Sequence, residues 1–283
     1  MTAVTAVTVA AGEGLGTPGV TLRDDGNFVL TRRRNGCASL LTLSVIARHP
    51  AGRAVQRLRH EYSLRGELDS EWAVRPLDFA EEEDGRAVVT LEDPGGQLVS
   101  GLVGHPLEVV ALLRVAIGAV ASLGQAHERG LVHRDVKPAN MLTDPTTGRA
   151  WLMGFGLASR LPRERRPLDP PQVIEGTLAY MAPEQTGRMN RSVDARSDLY
   201  SLGVTLYELF TGRLPFEASD AMGWLHCHLA QLAPRADEGR RDLPEQLGAI
   251  VEKLLAKAPE SRYQTAAGLE SDLRRCLGHG SPP

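Results

Sequence analysis

The stretch His133-Arg134-Asp135-Val136-Lys137-Pro138-Ala139-Asn140 decides the interpretation of this 283-residue sequence. It combines an acid, a lysine and an amide at the spacings that phosphoryl transfer to a hydroxyl requires. A second short motif, Gly154-Phe155-Gly156, follows it along the chain. The first stretch predicts a loop that acts on a phosphoryl group, whereas the second motif contributes no charged side chain.

Composition and charge narrow the class of protein. A hydrophobic content of 42% is ordinary for a domain with a packed core. The net charge of −3 predicts no nucleic-acid partner, because such binders carry a strongly basic face. Cys37, Cys227 and Cys276 are widely separated and odd in number, so we expect neither disulfides nor a zinc site. These features favour a reducing, cytoplasmic location.

The hydrophobic pattern changes near residue 93 and predicts two lobes. From Gly26 to about Glu92, short β-type runs surround one helical segment at 54–68. Val55, Leu58 and Tyr62, with Arg65 at the same spacing, lie on one stripe of this segment. After the turn-rich Asp93-Pro94-Gly95-Gly96 the pattern is mostly helical, and one of the expected helices lies at 221–229. The predicted class is therefore α+β, with a small β-rich N-lobe and a larger helical C-lobe. The expected divisions are a tail at 1–23, the N-lobe at 24–92, the C-lobe at 93–277 and a second tail at 278–283.

The most apolar run, at 107–123, contains Glu108, Arg114 and Gly118. It is too short and too interrupted for a membrane span, so it predicts a buried core helix.

Several separated motifs occur in one order along the chain. They are the stretch at 133–140, Gly154-Phe155-Gly156, Ala182-Pro183-Glu184, the helix beginning Asp198-Leu-Tyr-Ser-Leu-Gly203, and Arg262. In this order and spacing the chain resembles the Ser/Thr protein kinase family from about residue 24 to 277. The runs at 175–185 and 186–191 resemble in particular the kinase-like N-terminal domain of large multidomain bacterial sensor histidine kinases.

The resemblance implies a role for each matching residue of the transfer site. Asp135 would accept or orient the proton of the attacking hydroxyl, and Lys137 would neutralise the transferring phosphoryl group. Asn140 would hold a magnesium ion beside the nucleotide. Thr177 would pair with Asp135 and Lys137 at the substrate hydroxyl, which marks the Ser/Thr branch.

The resemblance also implies residues that maintain the architecture. Arg134 would pair with an anion of the activation segment, and Asp198 would bond the backbone of the catalytic loop. Glu184 and Arg262 would form a buried ion pair, whose disruption typically destabilises a protein by about 3–5 kcal/mol.

Two departures from the family remove charges that catalysis uses. Gly154 stands where the family has the metal-binding aspartate, and no lysine occurs before Lys137 to anchor the nucleotide phosphates from the third strand. The position of that lysine on the strand would be Thr42, or Ser44 if the register differs. Glu61, the expected partner of that lysine, would therefore stand alone, and a solvent-facing helix charge is an equally good alternative for it. An arginine among residues 32–34 is the only rescue that we weigh. Two lost electrostatic groups imply a rate deficit on the order of 10⁴-fold or more.

The expected nucleotide site is also altered. Residues 23–28 contain one glycine where the family has a glycine-rich phosphate cover. Leu91, Glu92 and Asp93 would border the adenine, where Pro94 offers no N–H and Gly95 is the alternative donor. Pro94 has an equally good alternative role in shaping the turn between the lobes.

The activation segment at 162–172 contains no Ser, Thr or Tyr, so it cannot be switched by phosphorylation. Arg134 would instead meet Asp169 or Glu175, unless this arginine-rich loop is simply solvated.

The sequence thus predicts a pseudokinase of Ser/Thr type that signals through a protein partner. An active Ser/Thr kinase that phosphorylates proteins is the first alternative, and a nucleotide-sensing module is the second. ATP and magnesium are the expected cofactors if nucleotide binds at all.

Overall fold

The computed structural model describes residues 19–35, 38–45, 52–81, 86–105, 107–160, 177–189 and 191–279. Its N-lobe is built on a five-stranded antiparallel sheet with the strand order β1-β2-β3-β5-β4. The strands are β1 Val20–Asp24, β2 Phe28–Asn35, β3 Ala38–Val45, β4 Pro76–Glu81 and β5 Ala87–Glu92. One helix, α1 Gly52–Ser63, packs on this sheet through contacts with β4 and β5.

Strand β3 has one buried and one half-buried face. Leu41, Leu43 and Val45 are buried, whereas Thr42 and Ser44 alternate with them on the opposite face. This alternation follows from the period of two in a strand, and the apolar set faces α1 through Val55 and Leu58 of the same core.

The inward face of α1 differs in one residue from the predicted stripe. The pattern predicted Val55, Leu58 and Tyr62, but the buried residues are Val55, Leu58 and Glu61. A carboxylate therefore points into the protein from this helix, and Tyr62 stacks on Phe79 at a centroid distance of 5.9 Å.

The C-lobe contains two small antiparallel sheets, β6-β8-β9 and β7-β10, and the remaining helices. Its strands are β6 Gln97–Leu98, β7 Leu131–Val132, β8 Met141–Asp144, β9 Arg149–Leu152 and β10 Ser159–Arg160. Its helices are α2 Val109–Glu128, α3 Ala195–Thr211, α4 Ala221–Leu229, α5 Ala236–Gly239, α6 Glu245–Leu254 and α7 Ala266–His279. Asp194 and Asp220 cap the first turns of α3 and α4 by accepting backbone N–H bonds.

Helix α2 is the central helix of this lobe. By length and composition it is apolar enough to cross a membrane, with a mean hydropathy of 1.8, and 61% of that stretch is buried inside the protein. Its glycine at 118 lets Gly148 approach, since a Cβ there would lie 2.0 Å from the Gly148 carbonyl oxygen.

The architecture confirms the predicted α+β class with a β-rich N-lobe and a helical C-lobe. Strand β1 begins at Val20, four residues before the expected N-lobe boundary at 24, and α7 continues to His279. The earlier start matters for the site, because it makes Arg23 part of a strand that borders the cleft between the lobes.

Candidate functional site

Three predicted residues of the transfer site lie within hydrogen-bond distance of one another. The Lys137 Nζ donates to Asp135 Oδ2 at 2.8 Å and to Thr177 Oγ1 at 2.5 Å. The Thr177 hydroxyl and backbone N–H donate to Asp135 Oδ1 at 3.1 and 3.2 Å. The acid and the lysine that would act on a substrate hydroxyl therefore have the arrangement that the sequence predicted.

Asn140 belongs to the same group but makes an unexpected contact. Its Nδ2 donates to Asp135 O at 2.8 Å and to Asp135 Oδ2 at 2.9 Å. Its Oδ1, the atom expected to bind magnesium, accepts from Arg23 Nη1 at 2.9 Å, and the same Nη1 donates to Ala139 O at 2.6 Å. The oxygen atom that would bind a metal is thus already hydrogen-bonded to a guanidinium.

The residues present do not fit a magnesium ion. Gly154 supplies no carboxylate, and the remaining neutral oxygen of Asn140 is bonded to a cation. Within the described ranges, no group of three His, Cys, Asp or Glu side chains is arranged to hold a metal.

Gly154 adopts a conformation that favours glycine. Its φ is +79°, and a Cβ added there would lie 2.9 Å from Cγ and Oδ1 of Asn140. An aspartate at 154 would therefore have to displace Asn140 from its bonds to Asp135.

Glu61 has backbone partners in place of the missing lysine. The Gly154 N–H donates to its Oε1 at 3.0 Å, and the side chain is buried. Burial raises the pKa of Glu61 to about 7, even though hydrogen bonds from Gly154 and Phe155 and the charge of Arg23 lower it. The alternative that Glu61 is a solvent-facing helix charge is wrong for this structure.

The residue of β3 that faces the cleft is Leu43. It lines the same cavity as Leu58 and Glu61, whereas Thr42 and Ser44 lie on the other face of the strand. An apolar side chain therefore stands where a phosphate-anchoring lysine would be needed. The sequence offers the arginines at 32–34 as a replacement for that lysine. Of these, Arg32 instead pairs with Asp93 near the hinge, where its Nε lies 2.8 Å from Oδ2.

The hinge between the lobes satisfies its own polar groups. The Gly95 N–H donates to Asp93 Oδ1 at 3.0 Å. This N–H is the predicted donor to a base, and it already has an internal acceptor. The Glu92 N–H donates to Arg75 O at 2.9 Å, while Arg32 donates to the carbonyl oxygens of Gly95 and Gly96. Although burial raises the pKa of Asp93, hydrogen bonds from Ser39 and Arg32 bring it below its usual value.

Packed apolar side chains fill the hinge side of the cleft. Leu30, Leu41, Leu91 and Leu142 each have 0% exposed surface. They belong to one hydrophobic cluster that joins the N-lobe sheet to β8 and β9 of the C-lobe. Leu91, predicted to border a nucleotide, is thus a core residue.

An open cavity of about 620 Å³ lies at the other end of the cleft, around the catalytic loop. Its polar lining includes Arg23, Arg57, Glu61, Asp135, Lys137 and Asn140, and none of the residues from Leu91 to Gly96 contributes to it. The predicted transfer residues and Glu61 therefore share one space, from which the predicted hinge contacts are separated.

Asp198 binds the backbone of the catalytic loop. Its carboxylate accepts the backbone N–H groups of His133 and Arg134, both at 2.8 Å, and contacts His127 Nε2 at 2.9 Å. Arg134 has a φ of +67°, which is unusual for a residue with a side chain. Its Nε is buried and has no hydrogen-bond partner among the described residues. The expected partners, Asp169 and Glu175, lie outside those residues, as does the segment from 162 to 172.

Glu184 and Arg262 form a bidentate ion pair in the C-lobe. Nη1 and Nη2 of Arg262 donate to Oε1 and Oε2 of Glu184 at 2.7 and 3.0 Å, and both side chains have 0% exposed surface. This pair fixes the segment after the activation loop to the end of the lobe.

Sequence reasoning missed Arg23 as a residue of this site. The contact from Arg23 to Asn140 spans 117 positions along the chain, and a single arginine at the end of a strand carries no motif. The available signal was its position directly before Asp24-Asp25-Gly26, where a phosphate cover was expected.

Comparisons with known proteins agree with this geometry. The family model described as protein kinase domain matches residues 41–273. The Ser/Thr-protein kinase PknB of Mycobacterium leprae is 37% identical over 232 residues, which cover 80% of this chain and 36% of that protein. PknB of Mycobacterium tuberculosis is 37% identical over 178 residues, 63% of this chain and 28% of that protein. The Ser/Thr-protein kinase pkn3 of Myxococcus xanthus is 30% identical over 231 residues, 78% of this chain and 42% of that protein. The chain thus spans less than half the length of each of these relatives.

Proposed function

The chain belongs to the protein kinase family and is of the Ser/Thr type, and we propose that within this family it is a signalling pseudokinase. In this proposal ATP-dependent phosphoryl transfer is weak or absent, and the folded domain acts by binding a protein partner. The domain would work in the cytoplasm, in the company of further modules such as those of sensor histidine kinases.

The contact between Arg23 and Asn140 carries this proposal. Phosphoryl transfer depends on cations that neutralise the β- and γ-phosphates, and magnesium bound by carboxylates is the usual one. Here the carboxylate is replaced by Gly154, and the oxygen of Asn140 is hydrogen-bonded to a guanidinium at 2.9 Å. Leu43 on β3 supplies no second cation. The site therefore lacks two of the electrostatic groups by which the family stabilises the transition state, although Lys137 is retained.

An active Ser/Thr kinase is the second candidate, and one observation favours it. Asp135, Lys137 and Thr177 are mutually bonded in a way that suits proton abstraction from a substrate hydroxyl. ATP and magnesium would then be the cofactors, and protein Ser or Thr the acceptor.

A transfer assay separates these candidates. The purified chain is incubated with radiolabelled ATP, magnesium and a generic Ser/Thr protein substrate, with Asp135→Asn as the control. We expect incorporation equal to that of the control, because about 10⁴-fold of rate is lost with two electrostatic groups. Incorporation that is well above background and that Asp135→Asn abolishes would establish the active kinase instead.

A further inference from the structure

The open cavity and the expected base site are separate regions of the cleft. Leucines with no exposed surface fill the hinge side, and the hinge N–H groups of Glu92 and Gly95 already have internal acceptors. A purine would have to displace this packing and would find no donor from these two residues. The cavity of about 620 Å³ at the catalytic loop is nevertheless within the size range of small-molecule sites.

Three cationic side chains line this cavity from three different elements. Arg23 comes from β1, Arg57 from α1 and Lys137 from the catalytic loop. The Nε of Arg23 is buried without a hydrogen-bond partner among the described residues, and lies 3.6 Å from Asp25 Oδ2. Arg57 is half-buried and lines the same cavity. A buried donor without an acceptor is costly, so a ligand that accepts from it is favoured.

Four acids, Asp25, Glu61, Asp135 and Glu208, also line the cavity, but each has its own donors. Asp25 accepts the backbone N–H groups of Asn27 and Phe28, and Asp135 is bonded to Lys137. Glu61 accepts from Gly154, and Glu208 accepts from the Tyr180 hydroxyl at 2.6 Å.

Burial also disfavours the charged form of two of these acids. Burial raises the pKa of Glu61 to about 7 and also raises that of Glu208. Arg23 Nη1 and Lys137 Nζ already have acceptors, so Nε of Arg23 is the buried donor of the cavity that lacks one among the described residues.

We propose that this cavity binds a polyphosphate chain through Arg23, Arg57 and Lys137, with no contribution from a nucleobase and without a metal ion. Arginine forks suit phosphate oxygens in bidentate geometry, and Arg23 supplies the positive charge beside Asn140 that magnesium would otherwise supply. The inference rests on the proposed function, since it assigns a ligand class to a site that does not transfer the phosphoryl group. ATP would bind here through its phosphates alone.

Calorimetric titration tests this with three probes: sodium tripolyphosphate, ATP and adenosine, each in EDTA and each in magnesium. We expect tripolyphosphate and ATP to bind in EDTA with dissociation constants within about threefold of each other, and adenosine not to bind. Arg23→Gln should weaken tripolyphosphate binding about tenfold or more, because it removes a charge-assisted contact. The matched control Arg59→Gln, whose guanidinium is 62% exposed and pairs with Glu81 outside the cavity, should bind as the wild type does.

Several outcomes would overturn the proposal. These are binding of adenosine, a requirement for magnesium, no binding of tripolyphosphate by the wild type, or equal affinities of Arg23→Gln and Arg59→Gln. If Arg23→Gln does not fold, Arg57→Gln replaces it, and the wild-type ligand series decides independently of either variant. Failure of tripolyphosphate binding leaves the pseudokinase proposal standing, whereas transfer that requires Asp135 removes that proposal without reference to this titration.

Discussion

Replacing Arg262 with alanine should destabilise the protein by roughly 3–5 kcal/mol, the range for breaking a buried ion pair from one side. Arg262 donates to both carboxylate oxygens of Glu184 at 2.7 and 3.0 Å, and neither side chain has exposed surface. Its remaining hydrogens go to the carbonyl oxygens of Arg196, Ala256 and Lys257 at 3.0, 2.8 and 2.9 Å. Alanine would leave all of these acceptors without this donor.

The structure also indicates where in that range the value should fall. Ser197 Oγ donates to Glu184 Oε1 at 2.7 Å, so the surviving carboxylate keeps one side-chain partner. Three partly buried carbonyl oxygens lose a donor, however, and an unsatisfied buried polar group costs about 1–3 kcal/mol. The two effects oppose each other, so we expect about 4 kcal/mol rather than either end of the range.

Equilibrium urea denaturation measures this change as a shift of the midpoint at constant slope. Arg191→Ala is the matched control, because its pair with Glu260 has side chains that are 54% and 49% exposed. Exposed pairs of this kind contribute about 0–1 kcal/mol. Asp135→Asn, at the open cleft, should also have a small effect by comparison. If Arg262→Ala unfolds no more easily than Arg191→Ala, the buried pair does not stabilise the lobe and the reasoning from its geometry fails.

Three further predictions concern the cleft. Since the pKa of Glu61 is raised to about 7 from 4.5, its protonated form stabilises the fold below pH 4.5, and this stability is lost as the pH rises towards 7. The free energy of unfolding of the wild type, measured by urea titration, should therefore fall over this window by up to roughly 3 kcal/mol more than that of Glu61→Gln, and parallel profiles would contradict it. Leu43→Lys should place an ammonium beside Glu61 and remove this extra pH dependence of the free energy of unfolding. Thr42→Lys, on the opposite face, should leave the pH dependence unchanged in the same titration. Gly154→Asp should lower stability by about 1–3 kcal/mol, through its positive φ and the contact with Asn140, and an unchanged urea midpoint would refute this.

The motif-bearing half of the site could be predicted because its residues are close in sequence or belong to a fixed arrangement. Asp135, Lys137 and Asn140 lie on one short loop, so their spacing already determines that they can meet. The helix predicted at 221–229 has the same limits in the structure, since Asp220 provides an N-cap directly before it. Local chemistry was sufficient in both cases.

The inward face of β3 could also be predicted from the sequence, but the lysine position taken from the family motif conflicted with it. The residues Leu41-Thr42-Leu43-Ser44-Val45 alternate apolar and polar, which predicts that the leucines and the valine face inward. Placing the missing lysine at Thr42 or Ser44 ignored that alternation. The contacts of Arg23 are different, because they depend on how the two lobes close and no local pattern in the sequence reports that closure.

The two departures from the family are best understood as one rearrangement of hydrogen bonds. Without a lysine on β3, Glu61 accepts the backbone N–H of Gly154. Without a carboxylate at 154, Asn140 Oδ1 accepts from Arg23. Each group that lost a partner has thus gained an internal one, so neither departure leaves a buried polar group unsatisfied.

This exchange of hydrogen-bond partners explains why restoring one residue should not restore the site. A lysine at 43 must separate Glu61 from Gly154, whereas an aspartate at 154 must move Asn140 and, with it, the contact to Arg23. Both restored charges therefore compete with contacts that are already formed. The combination Leu43→Lys with Gly154→Asp should strengthen magnesium-dependent ATP binding only when Arg23→Gln removes the competing cation, and calorimetry of the double and triple variants tests this order. If the double variant already binds magnesium-ATP as tightly as the triple variant, Arg23 does not compete for Asn140.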